Sequence, residues 1–149
     1  MDIKKINTTI LNEILKNKGN LASTGCMTKD DKTLCCIDGH IAFYMDNSDF
    51  IIDKTKLPKL QQIDKLFSTD DTQEVFKTGN MKEFTVGNKT VKVLEFGNDN
   101  FKIYINENFY KFLGKTKYRF YAKSPKTPLA CIDDNNVVKV MILPININQ

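Results

Sequence analysis

The dipeptide Asp38-Gly39 constrains the fold of this chain more than any other short feature of its sequence. It separates two apolar segments, TLCCI and HIAFYM, and both are rich in residues that favour β-strands. A two-residue hairpin turn of type I′ needs a positive φ angle at both central positions, which an Asp-Gly pair adopts readily. The sequence therefore predicts a β-hairpin centred on Asp38-Gly39.

Two cysteines and the single histidine of the chain flank this turn, as Cys35, Cys36 and His40. A zinc site would need a second ligand pair at a spacing such as C-x2-C or H-x3-H, and the sequence has none. Adjacent residues of a strand point to opposite faces, which suits neither one metal nor a disulfide between Cys35 and Cys36. We interpret the segment as a structural hairpin, and a Cys–His catalytic pair is the alternative that the sequence leaves open.

The composition is that of one globular domain. Of the 149 residues, 41% are hydrophobic and 27% are charged, and no apolar run approaches the length of a membrane span. The first residues lack the apolar stretch of a secretion signal, and the four cysteines are interpreted as reduced thiols, so we expect a cytoplasmic protein. The net charge of +4 permits contact with nucleic acid but does not require it.

Hydrophobic spacing predicts helices at three places. Residues 7–20 should form the first, capped by Asn7 or Thr8, ended by Gly19 and preceded by a short strand that contains Ile3 and Ile6. The second covers 54–67, and the third begins after Asn106 and ends at Gly114. The apolar face of the first helix would consist of Ile10, Leu11, Ile14 and Leu15.

The remaining apolar segments predict antiparallel strands. KEFTV and KTVKVLEF should pair across Gly87-Asn88-Lys89, FKIYI should form a strand before the last helix, and YRFYAKS, PLACIDD and VVKVMILPI should form three more strands. Residues 133–136 are the turn between the last two of these. The expected fold class is α+β, with the two helices 7–20 and 107–114 on one side of an antiparallel sheet.

Two segments of this pattern resemble the DNA sliding clamps. IDGHIAFYM, residues 37–45, is similar to the T-D-G-H-R-L-A hairpin of the bacterial clamp, and residues 101–145 are similar in order and spacing to its final half-domain. The resemblance implies a single clamp-like domain over 1–149, made of two strand–helix–strands units. These would occupy about 1–49 and 98–149, with a divergent middle at 50–97.

A bacterial clamp has three such domains per chain, whereas this chain has the length of one. It looks more like the stand-alone clamp-like proteins of phages and prophages. The resemblance implies a non-enzymatic accessory protein of phage or mobile-element origin that acts on DNA or on DNA-processing proteins, without metal or cofactor. The alternative is a small, anti-CRISPR-like inhibitor of a host nucleic-acid-processing or defence complex.

Clamps contact DNA phosphates through basic residues on helices, without reading sequence. The residues that would take this role are Lys16, Lys18, Lys111, Lys115 and Lys117, and the alternative for them is a solvated lysine face. Clamps also capture peptides near their last strand, where this chain has Leu143, Pro144 and Ile145. The alternative for these three is ordinary strand core.

The lysine content of KEFTV and KTVKVLEF also predicts the assembly state. Both segments are candidate edge strands, and charged side chains on an edge hinder pairing with another chain. We therefore expect a monomer, or at most a two-fold dimer, rather than a closed ring.

Overall fold

The computed structural model describes residues 1–59 and 67–146, so most of the helix predicted over 54–67 lies outside the described residues. Two α-helices and nine β-strands are present in this part of the chain, with single turns of 3-10 helix at Leu21–Thr24, Asn47–Asp49, Lys54–Lys56 and Lys111–Leu113. The elements are α1 (Ile3–Lys16), β1 (Met27–Lys29), β2 (Lys32–Ile37), β3 (Ile41–Asp46), β4 (Gln73–Val86), β5 (Lys89–Gly97), β6 (Lys102–Asn106), α2 (Glu107–Tyr110), β7 (Arg119–Ala122), β8 (Leu129–Ile132) and β9 (Val138–Ile142).

All nine strands belong to one sheet with the order β1-β2-β3-β9-β8-β7-β4-β5-β6. Every pair of neighbours is antiparallel. The α+β class is therefore confirmed in its coarse form, as a large antiparallel sheet with two short helices. The two meanders β1-β2-β3 and β7-β8-β9 meet through their last strands, because β3 pairs with β9.

Helix α1 begins four residues earlier than predicted, so the expected short strand at its start is wrong. The side chain of Asp2 caps the helix by accepting from the Lys5 amide at 3.0 Å. Ile6 and Ile10 are buried in the core, whereas Leu11 and Leu15 are 38% and 75% exposed. The apolar face consists of Ile3, Ile6, Ile10 and Ile14. The prediction is therefore confirmed for Ile10 and Ile14 and wrong for Leu11 and Leu15.

The hairpin at Asp38-Gly39 is confirmed. Asp38 and Gly39 have the expected positive φ angles, 53° and 65°. The loop has three residues, 38–40, rather than the predicted two, because Ile37 pairs with Ile41. The His40 amide closes the turn on the Ile37 carbonyl at 3.1 Å, and β2 and β3 then pair without a register shift. The hairpin between β4 and β5, the capping of α2 by Asn106 and the three strands β7 to β9 are also present where the sequence predicts them.

One face of the sheet carries the main core and packs against the helices. Fully buried side chains of this core include Phe43 on β3, Phe96 on β5 and Ile105 on β6. The main chain joins the helical segments directly, since the Asp2 amide donates to the Phe112 carbonyl at 2.7 Å. A smaller apolar cluster on the opposite face contains Ala130, Ile132 and Val138.

Strands β4 and β5 continue beyond the sheet as a two-stranded ribbon, which we call the arm (residues 77–92). β4 pairs with β7 only through residues 73–75, and β5 pairs with β6 only from residue 93 onward. In strand order the edges of the sheet are β1 and β6, so β4 and β5 are interior strands near the body. The predicted edge character holds only for their distal parts, which have no third strand beside them among the described residues.

Candidate functional site

Lysines from four separate segments meet on the helix side of the molecule. Lys77 Nζ lies 4.7 Å from the ring centroid of Tyr110 on α2, and Lys5 Nζ lies 4.5 Å from the ring centroid of Phe112. We call this region the basic surface, defined by Lys5, Lys77, Lys92, Lys111, Lys115 and Lys117.

Glu107 on α2 lies near lysines of the arm and near Lys111, which directly follows α2. Lys111 Nζ donates to Glu107 Oε2 at 2.9 Å, and this bond lowers the pKa of Glu107. The charges of Lys92 and Lys77 lower the pKa of Glu107 further, which places both near the helix. The arm and α2 therefore form one charged region.

The loop after α2 brings Lys115 and Lys117 to the start of α1. Gly114 has a φ angle of 63°, and a Cβ at that position would lie 3.4 Å from Asp2. The chain thus turns sharply beside the N-terminus of α1, and the side chains of Lys115 and Lys117 are exposed there. Three of the five lysines predicted to bind DNA consequently belong to the basic surface.

The other two predicted lysines lie elsewhere. Lys16 is in the last turn of α1 and Lys18 follows it, both exposed. A helix of 14 residues is about 21 Å long, so these lysines are at the far end of α1 from Lys115 and Lys117. The structure therefore does not join all five predicted lysines in one site.

Sequence reasoning missed the contributions of Lys5, Lys77 and Lys92. Lys5 falls in a segment predicted as a strand, and Lys77 and Lys92 fall in the middle that the clamp resemblance does not cover. The available indication was the strand-like character of KTVKVLEF. The two-residue period of a strand places Lys92 on the same face of β5 as Leu94 and Phe96, which belong to the main core.

Glu95 fastens the arm to the body of the molecule. It is 2% exposed, and its Oε1 accepts from Thr78 Oγ1 at 2.9 Å and from Asn80 Nδ2 at 3.0 Å, while Oε2 accepts from the Tyr104 hydroxyl at 3.1 Å. Thr78 and Asn80 lie in the bulge of β4. These hydrogen bonds, together with Lys102 at 3.2 Å, lower the pKa of Glu95 to about 2.

The predicted partner-binding residues do not form one pocket. The Leu143 amide donates to the His40 carbonyl at 2.7 Å, and the Ile145 amide donates to the Tyr104 carbonyl at 2.8 Å. Leu143 lines an apolar groove of about 170 Å³ together with Cys36 and Met141, whereas Ile145 lines a different groove beside β6. The segment 143–145, with Pro144 at its centre, therefore links the β2–β3 turn to β6, and Leu143 and Ile145 line different grooves.

The cysteine–histidine segment has a structural explanation. The ring of His40 stacks on Phe109, with centroids 5.6 Å apart and planes at 10°. Cys35 is fully buried, and its hydrogen bond with the Cys26 thiol, together with burial, raises the pKa of Cys35. Within residues 1–59 and 67–146, no group of three potential metal ligands is close enough to hold an ion.

Comparisons with protein-family models, with curated proteins and with solved structures find no significant match to this chain. The resemblance to sliding clamps therefore stays a prediction from the sequence. Among the described residues, no helix is both long and apolar enough to cross a membrane.

Proposed function

We propose that this chain is a non-enzymatic, clamp-like accessory protein that binds duplex DNA through the basic surface without reading its sequence. The observation that carries the proposal is the convergence of lysines from α1, the arm and the segment 111–117 after α2 on one side of the molecule. The clamp resemblance adds a second argument, since clamps also present basic residues to DNA on the helix side of their sheets.

The charge balance of the basic surface suits phosphate binding. Three acidic residues lie beside its six lysines, and each of the three acidic residues has a nearby partner. Asp2 caps α1, Glu83 lies 3.6 Å from Lys92, and Glu107 accepts from Lys111. No ion pair is seen for Lys115 or Lys117 among the described residues, so both are available to phosphates. Binding of this kind releases counterions and weakens steeply as salt rises.

The arrangement of the sheet edges favours a monomer that contacts DNA from one side. β1 has only three residues, and at β6 the Tyr104 carbonyl already accepts from the Ile145 amide. Neither of these two edges offers a long row of free backbone groups to a second chain, and the unflanked strands of the arm carry lysines that hinder such pairing. Light scattering should give a mass near 17.1 kDa, and a mass about six times larger would contradict one-sided binding.

Charge reversal within the basic surface tests the proposal. The variant Lys111→Glu/Lys115→Glu/Lys117→Glu should lose most of its affinity for a short duplex at low salt, as measured by fluorescence anisotropy. The matched control Lys16→Glu/Lys18→Glu/Lys126→Glu makes the same charge change at exposed sites outside the basic surface and should bind much more tightly than the first variant. Equal losses in the two variants would show that net charge, rather than this surface, governs binding.

The groove at Leu143 favours a second candidate function, that of a small inhibitor of a host nucleic-acid-processing or defence complex. The groove is lined mainly by apolar side chains, and Leu143 is 40% exposed. Such a chain should retain one stoichiometric partner from nuclease-treated lysate, and Leu143→Asp should release that partner. A partner lost on nuclease treatment would instead support the DNA proposal.

A further inference from the structure

The arm packs less against the rest of the structure than the other strands do. Its residues are exposed or half-buried wherever their side chains are described, although isolated two-stranded ribbons are only marginally stable in water. It contains four lysines, Lys77, Lys82, Lys89 and Lys92, and a single acidic residue, Glu83. A positively charged ribbon that extends into solvent suits an anionic partner.

Strand register shows which way the two faces of the arm point. Residues directly opposite each other in an antiparallel pair share a face, and residues two apart on one strand share it as well. Lys92 and Thr90 therefore lie on the side of Leu94, which packs into the main core beside the helices. Glu83 and Thr85 oppose Lys92 and Thr90 across the ribbon and share that side.

The opposite face of the arm is occupied by its own contacts. Phe84 opposes Val91, and both side chains are half-buried against the ribbon. Lys82 Nζ lies 3.1 Å from the Tyr104 hydroxyl and covers the Tyr104 ring at 4.7 Å. The face on the helix side carries the exposed side chains of Met81, Glu83, Thr85, Thr90 and Lys92. It joins the basic surface through Lys92.

The dimensions of the arm match one groove of DNA. The six residues 81–86 are paired as a ribbon about 20 Å long at 3.4 Å per residue. The major groove of B-DNA, about 12 Å wide, admits a two-stranded ribbon, whereas the minor groove at about 6 Å does not. Glu95 and its partners hold the arm at a fixed position on the body, so insertion requires little reordering.

We propose that the arm enters the major groove of duplex DNA while the lysines of the basic surface hold the flanking phosphates. This inference rests on the proposed function and names the groove that it uses. Thr85 and Thr90 would lie on the groove-facing side without reading the sequence, and Lys89, which the register places on the opposite face at the tip, would reach a phosphate at the rim of the groove.

A duplex with a filled major groove tests the inference. The probes are a short duplex, the same duplex with β-glucosyl-5-hydroxymethylcytosine in place of cytosine, and the unmodified duplex with netropsin in its minor groove. The wild-type chain should bind the glucosylated duplex at least about tenfold more weakly than the unmodified one, and netropsin should have little effect. Equal affinity for the glucosylated and unmodified duplexes would overturn the inference while leaving the proposed function intact. Absence of binding to any duplex would overturn both.

Two arm variants complete the test. Thr85→Asp/Thr90→Asp keeps the ribbon and places two acids on its groove-facing side, so it should bind weakly and no longer distinguish the glucosylated duplex. The control Asn135→Asp/Asn146→Asp adds the same charge elsewhere and should keep the wild-type discrimination. A chain in which Asn-Gly replaces residues 83–92 should also bind the glucosylated and unmodified duplexes equally. If either arm variant still prefers the unmodified duplex, insertion of the arm would be contradicted.

Discussion

Two β-hairpins of this molecule have similar sequence signals and opposite surroundings. The β2–β3 hairpin turns at Asp38-Gly39 and lies within the sheet, with Phe43 fully buried against Phe112. The β4–β5 hairpin turns at Gly87-Asn88, and within residues 1–59 and 67–146 no other strand flanks its distal part. A local turn signal thus predicts that a hairpin forms, whereas neighbouring strands and helices determine whether it becomes core or an exposed arm.

The difference has a consequence for stability and function. Burial of apolar surface on β3 stabilises the fold, so substitutions there should act mainly through unfolding. The distal arm buries little, so substitutions there should leave the free energy of unfolding nearly unchanged and act on binding. Glu95 lies at the junction between the packed body of the sheet and the exposed arm.

The largest change in the free energy of unfolding is expected when one phenylalanine of each hairpin is replaced and the two losses are compared. Phe43→Ala should lower the free energy of unfolding by about 3–5 kcal/mol, because it leaves a cavity in the main core. Phe84→Ala removes a half-buried ring from the arm and should cost about 1 kcal/mol or less. Urea denaturation measures both, and similar losses in the two variants would show that the arm is as well packed as the body.

The next effect concerns the junction at Glu95. Glu95→Gln replaces a charged acceptor of several hydrogen bonds and should destabilise the protein at neutral pH by about 1–3 kcal/mol. Because folding lowers the pKa of Glu95 from its ordinary 4.5 to about 2, the stabilisation is fully present above pH 4.5. It is lost as the pH falls from 4.5 toward 2.

Urea denaturation as a function of pH checks this prediction. The difference in unfolding free energy between wild type and Glu95→Gln should shrink as the pH falls through that window. A difference that stays constant from neutral pH down to pH 2 would contradict a folded-state carboxylate held ionised at the base of the arm.

The smallest effect tests the corrected face of α1. Leu15→Lys should change the free energy of unfolding by no more than about 0.5 kcal/mol, because the side chain is largely exposed. Ile10→Ala, at a buried position of the same helix, should cost about 2–5 kcal/mol. A large loss in Leu15→Lys would restore the predicted assignment of Leu15 to the core face.

Short stretches of sequence were sufficient to predict most elements of the fold. The Asp38-Gly39 turn, the Asn106 cap, the Gly114 helix end and the strands β7 to β9 are all specified by residues close together in sequence. The start of α1 was missed because Ile3 and Ile6 fit both a strand and a helical face, and the tertiary contact of Asp2 with Phe112 favours the helix.

The candidate site was only partly predictable for a related reason. Lys111, Lys115 and Lys117 are close in sequence and stay close in space, whereas Lys16 and Lys18 are separated from them by the length of α1. Lys77 and Lys92 join the basic surface through the order of strands in the sheet, and Lys5 joins it through the packing of α1 beside Phe112. Hydrophobic periodicity reveals neither arrangement. The fastening of the arm by Glu95 likewise depends on a bulge that brings Thr78 and Asn80 toward it.

The salt dependence of DNA binding tests the central claim most directly. If the basic surface neutralises phosphates with its six lysines, a plot of log K against log salt concentration should have a slope of about −5, independent of the duplex sequence. Lys111→Glu/Lys115→Glu/Lys117→Glu should flatten that slope by about 3. A wild-type chain that shows no binding at low salt, or a slope that the triple variant leaves unchanged, would contradict the account.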